Sequence, residues 1–161
     1  MLTQERLKEL LHYCPETGVF TRIARIQSIN IGDIAGGVTS YGYWSILIDY
    51  KHYQAHRLAW IYVNGMWPKD YIDHINGIKN DNRIINLREA NKSQNGQNKK
   101  KAHKNTSTGL LGASFHKITG KYASQIKVNG KSKHLGLFKT PQDAHQAYLT
   151  AKRQLHEFNT L

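Results

Sequence analysis

The chain has 161 residues, enough for one ordinary domain or two small ones and too few for a large multidomain enzyme. No apolar run approaches the roughly 18 residues that a membrane span requires, and residues 1–13 lack a signal-peptide pattern. We therefore expect an intracellular protein that is neither secreted nor inserted in a membrane. The single cysteine, Cys14, excludes an internal disulfide and a zinc site built from cysteines.

Positive charge is concentrated in the second half of the chain. The sequence carries 23 Lys and Arg against 11 Asp and Glu, a net charge of +12. Residues 1–85 hold nine basic and eight acidic side chains, whereas residues 86–161 hold fourteen and three. Because turn signals and aromatic residues lie within the basic half, it is typical of a folded surface that binds a nucleic acid. A soluble basic domain without such a partner is the alternative.

The first 65 residues predict a helix, several short strands and a second helix. Thr3 stands as an N-cap before a leucine-rich amphipathic stretch. Glycines then separate β-rich segments up to about Tyr53. The run from His56 to Val63 suits a buried helix, which Gly65 ends.

Residues 70–101 carry the candidate catalytic groups. Asp73 and His74 stand between isoleucines, which predicts a strand. Asn91 and Gln94 have the spacing of a capping box, which starts a helix that carries Asn95. A hard cation such as Mg²⁺ keeps most of its waters, so one carboxylate, one amide oxygen and substrate phosphate oxygens suffice to hold it. His74, close to neutral at pH 7, can take a proton from an attacking water.

The remainder predicts a basic linker and a second small domain. Residues 99–110 are basic and then small and polar, which indicates a linker able to lie along a phosphate backbone. Turn dipeptides at 119–120 and 129–130 divide the next stretch into strands at about 111–118, 121–128 and 131–138. Thr140 and Pro141 then start an amphipathic helix. We expect a three-stranded antiparallel sheet packed on this one helix.

The two faces of this predicted sheet differ in chemistry. Strict alternation directs an apolar set towards the helix: Ala113, Phe115, Tyr122, Ile126, Val128, Leu135 and Leu137. The opposite face receives a polar and basic set: Ser114, His116, Lys121, Gln125, Lys127, Ser132 and His134. Such side chains can reach phosphates and base edges in the major groove. An ordinary solvated polar face is the alternative.

The segment around Asp73 and His74 resembles the HNH nuclease motif, in particular the phage homing-endonuclease branch, in which an Asp-His pair stands first and asparagine replaces the last histidine. The resemblance covers about residues 55–98 and rests on His56-Arg57-Leu58-Ala59, Asp73-His74, Asn86-Leu87 and Asn95. It implies a strand, loop, strand and helix that cradle one divalent metal ion, Mg²⁺ or alternatively Mn²⁺.

The same resemblance implies roles for individual residues. Asp73 and Asn95 would be metal ligands, and His74 would be the general base. Asn86 would be the loop asparagine that fixes the orientation of the histidine, with Asn82 as the alternative. If the protein is encoded by a phage, it acts in the cytoplasm of a bacterial host.

Residues 111 to about 158 resemble a second family, the plant ethylene-response-factor type of DNA-binding domain. The features that carry the resemblance are Gly112-Ala113-Ser114-Phe115, Gly120-Lys121-Tyr122, Gln125-Ile126-Lys127, His134-Leu135-Gly136-Leu137-Phe138 and the helix from Ala144 to Tyr148. The resemblance implies a sheet in the major groove, with DNA contacts from Ser114, His116, Lys121, Gln125, Lys127 and His134. Plant members carry more arginines and a tryptophan on this face, so this chain must read a different sequence.

We therefore expect an α+β protein with three parts. Residues 1–98 would form an HNH nuclease domain of the ββα-metal type, residues 99–110 a basic linker, and residues 111–161 the DNA-binding domain.

These parts predict a metal-dependent endonuclease of the site-directed homing type that hydrolyses phosphodiester bonds in double-stranded DNA. We expect it to act as a monomer, with flanking phosphates contacted by Arg88, Lys92, Lys99 and Lys100. The alternative is a DNA-binding regulator whose nuclease half is inactive. An RNA-binding protein ranks last, because the polar sheet face lacks the stacking aromatics that single strands require.

Overall fold

A computed structural model describes residues 1–25, 30–103 and 105–161 of the chain. The chain forms two compact units, Met1–Ala90 and Asn91–Leu161, which we call the N-terminal unit and the C-terminal unit. Both combine helices with antiparallel strands, so the predicted α+β class is confirmed. The domain limits at residues 98 and 111 stay predictions, and Lys104 of the expected linker lies outside the described residues. Within the described part of the chain, no helix has the length and apolar character to cross a membrane.

The described part of the N-terminal unit contains two α-helices and seven strands. In chain order these are α1 (Gln4–Leu10), β1 (Leu11–Cys14), β2 (Val19–Arg22), β3 (Gly37–Val38), β4 (Trp44–Ile48), β5 (Lys51–Gln54), α2 (Ala55–Asn64), β6 (Tyr71–His74) and β7 (Leu87–Ala90). The strands form three antiparallel sheets, β1-β2, β3-β4-β5 and β6-β7. A single 3-10 turn, Ile84–Asn86, leads into β7.

Helix α2 lies at the centre of the core of this unit. Its residues Ala55, Leu58 and Ala59 are fully buried, and the helix packs on α1 and on strands β4 and β5. It ends at Gly65, whose φ of 78° is left-handed, as the sequence predicts. The first turn of α2 carries His56 on its buried side.

The β1-β2 hairpin supports the loop between β6 and β7. The Tyr13 hydroxyl of β1 donates a hydrogen bond of 2.7 Å to the carbonyl oxygen of Asn82, and its ring packs on Phe20. Gly18, in the hairpin turn, has a φ of 73° and lies directly against the backbone of Asn82 and Arg83. A Cβ at position 18 would meet the Arg83 nitrogen at 2.4 Å.

The C-terminal unit contains α3 (Lys92–Gln97), β8 (Ala113–His116), β9 (Lys121–Val128), β10 (Lys131–Phe138) and α4 (Pro141–Leu155). Its antiparallel sheet has the order β10-β9-β8, and α4 packs on all three strands through buried residues such as Ala144. Thr140 caps α4 by accepting a hydrogen bond from the Asp143 N–H. The predicted hairpin turns and helix start are therefore confirmed.

The predicted alternation is wrong for the end of β10. His134 pairs with Gln125 and Gly136 with Ser124, so Leu135 is an extra residue, a β-bulge. The bulge inverts the alternation beyond it. Leu137 therefore pairs with Ala123 on the face away from α4, and is 40% exposed.

We predict that Gly18→Ala lowers the free energy of unfolding by more than about 1–2 kcal/mol, the cost of a left-handed conformation for a residue with a Cβ. The close approach to Arg83 adds to that cost. Urea denaturation at neutral pH measures the change. Gly37→Ala is the matched control, since a Cβ there meets nothing within 4 Å and the φ is not left-handed. Equal midpoints for the two variants would contradict the prediction.

Candidate active site

The β6-β7 hairpin positions the Asp-His pair. Its register sets Asp73 opposite Arg88 and His74 opposite Leu87. Because successive residues of a strand point to opposite faces, Asp73 shares a face with Arg88, whereas His74 lies on the face of the core residue Ile72. Both acid and imidazole are buried, and the expectation that they lie on a strand is confirmed.

Arg88 holds the carboxylate of Asp73. Its Nε and Nη2 donate hydrogen bonds of 3.0 and 2.9 Å to the same oxygen, Oδ2. The Asp73 side chain is 7% exposed, so a neighbouring cation offsets the cost of burying its charge. The sequence analysis expects Arg88 to contact a flanking phosphate. In the structure, Arg88 instead binds the carboxylate of Asp73.

Asn82 orients the imidazole of His74. Its Oδ1 lies 3.3 Å from His74 Nε2, and its Nδ2 donates to the carbonyl oxygen of Asn80. The second contact directs the amide oxygen at the ring, so Nε2 carries the proton and the basic lone pair is on Nδ1. Burial is the largest influence on the His74 pKa and lowers it, although the Asn82 hydrogen bond and Asp73 act in the opposite direction. His74 is therefore neutral at physiological pH.

The structure corrects the choice between the two loop asparagines. The side chain of Asn86 accepts a hydrogen bond of 2.9 Å from the Asn76 N–H, and its Nδ2 donates to Asn76 Oδ1 and to the Asp81 carbonyl oxygen. Asn86 therefore braces the loop, while Asn82, the alternative in the sequence, contacts His74. The spacing of asparagines could not distinguish the two, because the loop path decides which amide reaches the ring.

His56 of α2, which belongs to the sequence motif and is assigned no catalytic role from it, lies beside His74. Its ring meets that of His74 edge-on, with centroids 5.0 Å apart, and Tyr43 lies 5.5 Å from it. Lys79 Nζ in turn lies 4.8 Å above the Tyr43 ring. Burial is the main cause that lowers the pKa of His56 to about 3, with the neighbouring His74 and Arg57 acting in the same direction. A histidine within an apolar helix pattern was the available signal.

The other predicted site residues lie in the C-terminal unit. Asn95 is an exposed residue of α3, whose predicted capping box is confirmed by reciprocal hydrogen bonds between Asn91 and Gln94. Lys92 begins the same helix, and two further exposed lysines follow it at positions 99 and 100.

The six predicted DNA contacts of the sheet share one face. The register pairs His116 with Lys121 and Gln125 with His134, and it places the remaining two on the same side, Ser114 and Lys127. We call this face of β8, β9 and β10 the basic face. All six side chains are exposed except His116, which is half-buried and contacts Thr119.

The donor chemistry fits a hard divalent cation. Mg²⁺ needs only one or two protein oxygens when waters and substrate phosphates complete its shell, and Asp73 supplies a carboxylate. An amide oxygen such as that of Asn95 has the same preference for a hard ion. In the ranges that the structure describes, no three His, Cys, Asp or Glu side chains form a cluster that could hold an ion.

We predict that the stability of the protein falls as the pH drops below about 6.5, in part because of His56. With a folded pKa of about 3 and an ordinary value of 6.5, His56 binds its proton first in the unfolded chain. The contribution of neutral His56 to the free energy of unfolding is complete above pH 6.5. It is lost as the pH falls towards 3, at up to about 1.4 kcal/mol per pH unit. His56→Phe keeps a ring and removes the titrating group, so urea midpoints between pH 7 and 4 should change less than in the wild type. His12→Phe, at an exposed position, is the control. A slope unchanged by His56→Phe would disprove the assignment.

Comparison with known proteins agrees with this geometry. A family model described as HNH endonuclease matches residues 53–97, the segment that runs from β5 through α2 and the β6-β7 hairpin to α3. No curated protein and no solved structure shows significant similarity to the chain. HNH nucleases generally use a divalent metal ion and act on DNA. Residues 53–97 are thus an HNH endonuclease domain, and the protein is a nuclease enzyme that acts on DNA.

Proposed function

We propose that this chain is a site-directed endonuclease of the homing type, which uses Mg²⁺ to hydrolyse a phosphodiester bond in double-stranded DNA. The observation that carries the proposal is the buried, neutral imidazole of His74, held by Asn82 at the end of a strand that also carries Asp73. The HNH match over the same segment and the excess of basic residues in the C-terminal unit support it.

His74 acts as the general base in this proposal. Its Nδ1 lone pair takes a proton from a water molecule, whose oxygen attacks the phosphorus in line with the leaving 3′ oxygen. Asn82 Oδ1 accepts from Nε2–H and keeps the ring in the correct tautomer, and the nearby negative charge of Asp73 stabilises the imidazolium that forms. The departing 3′ oxygen takes a proton from solvent.

The metal ligands in this proposal are Asp73 and Asn95, the two residues that the HNH resemblance assigns to the ion. When bound, the ion neutralises charge on the scissile phosphate and on the leaving oxygen. Arg88 fixes the carboxylate of Asp73 through two donors on one oxygen and would so orient the acid for an ion.

Residues 111–161 of the C-terminal unit serve as the recognition domain, of the ethylene-response-factor type. Residues 91–161 carry thirteen Lys and Arg against two acids. The basic face belongs to an antiparallel sheet, and a β-ribbon can enter the major groove. Phosphates that flank the cut are contacted by Lys92, Lys99 and Lys100. A monomer with one active site per chain nicks one strand.

We predict that the wild type nicks supercoiled plasmid in Mg²⁺ or Mn²⁺ and not in EDTA. His74→Ala lowers the cleavage rate by about 10²–10⁴-fold, the usual contribution of a general base, and keeps DNA binding in a gel-shift assay. His52→Ala is the control, since His52 is an exposed histidine of β5 and lies outside this machinery. Binding without cleavage in every metal would instead support the DNA-binding regulator with an inactive nuclease half.

We also predict that the basic face contributes to the salt dependence of DNA binding. Replacing both Lys121 and Lys127 by Ala removes two phosphate contacts and lowers the slope of log affinity against log salt by about 1.8. The matched control replaces Lys131 and Lys133, which are exposed on the same sheet but pair with Val128 and Ile126 of the other face. Equal slopes for the two double variants would exclude the basic face as the DNA-binding surface.

A further inference from the structure

An apolar side chain lies in the middle of the basic face. The β-bulge at Leu135 brings Leu137 onto this face, in register with Ala123 of β9, which is itself in register with Ser114 of β8. Ala123 itself is buried, with 3% of its surface exposed, so Leu137 is the accessible apolar side chain at this point, which we call the Leu137 spot. On either side along the strands lie the polar pairs Gln125–His134 and Lys121–His116.

The Leu137 spot is not part of the core. Leu135 and Phe138 lie with α4 residues around a groove on the helix side, so the apolar residues of β10 that serve packing are those two. Leu137 points away from α4 and keeps 40% of its surface in contact with solvent. Packing within the C-terminal unit therefore does not account for the exposed part of this leucine.

We propose that Leu137 contacts the C5-methyl group of a thymine and makes the protein selective for an A·T base pair. The thymine methyl is the one apolar group that the bases present in the major groove, and small apolar side chains contact it there. This inference rests on the proposed function, because it requires the basic face to enter the major groove.

The neighbours of the Leu137 spot favour DNA over another occupant. No acidic side chain is found on the basic face among the described strand residues, and Lys121 and Lys127 flank the spot on the same strand. A basic rim around an apolar contact of one side chain is complementary to phosphates around a methyl group, and is too small for a stable protein interface.

Gln125 is placed to contact a second base near the one that Leu137 would contact. It lies two residues from Ala123 on β9, about 6.6 Å along the strand, or about two base-pair steps of 3.4 Å. Glutamine pairs in a bidentate manner with the N6 and N7 of adenine. The Leu137 spot and Gln125 are therefore placed to read two A·T pairs within one short stretch of groove.

The experiment uses the full-length chain with His74→Ala, so that DNA stays intact during binding. Selection from a random duplex pool first gives the preferred sequence. Each thymine of that sequence is then replaced in turn by deoxyuracil, which lacks only the C5-methyl group. At one thymine position we expect affinity to fall about fourfold, the effect of one buried methyl group. Adding Leu137→Ala should make the thymine and deoxyuracil duplexes bind equally well.

The control adds Ile118→Ala instead, which removes an exposed apolar side chain in the β8-β9 turn and should keep the discrimination. Circular dichroism verifies that each variant is folded. Site-selective binding without any loss on deoxyuracil substitution would overturn the inference and leave the proposed function intact. Discrimination that survives Leu137→Ala would overturn it as well. If no sequence is enriched, or if Lys121 and Lys127 can be replaced without effect on binding, recognition by the basic face fails and the inference fails with it.

Discussion

The hydrogen bond between His74 and Asn82 is the contact on which the geometry of the nuclease site depends. It fixes the tautomer and the plane of the imidazole, and it requires the loop between β6 and β7 to follow one path. Three groups of contacts hold that path. Inside the loop, Asn86 binds Asn76 and Asp81, and Asp81 forms an ion pair with Arg83. From outside the loop, Tyr13 binds the Asn82 carbonyl. The imidazole of His74 is thus positioned by a loop that several contacts hold in place.

Burial sets the protonation of the site. His74 and His56 meet edge to face in the core of the N-terminal unit, and removal from water lowers the pKa of both. Two neutral rings can lie together where two imidazolium ions would repel each other. Asp73 is buried as well, but Arg88 donates two hydrogen bonds to its carboxylate and so offsets the cost of burying it.

Local signals in the sequence predict most of the fold and part of the site. Caps at Thr3, Asn91 and Thr140 and turns such as Asn129-Gly130 mark element ends, because their chemistry is confined to a few neighbouring residues. The bulge at Leu135 could not be predicted from such local signals, since strict alternation assumes that every residue of β10 has a partner. The contact of Asn82 with His74 could not be predicted in this way either, because the path of the loop decides which amide reaches the ring. The meeting of His56 with His74 could not be predicted because the two histidines lie in different elements of the fold.

The β1-β2 hairpin supports the loop between β6 and β7. This support shows how much of the chain is needed to hold that loop in place. Tyr13 and Gly18 lie more than thirty residues before the first residue of the HNH match, yet they touch the backbone next to the residue that orients the base. The segment that matches the nuclease family and the smallest chain that can hold His74 in place are therefore different lengths. An excised segment limited to the match would keep Asp73 and His74 and lose the hairpin that supports their loop.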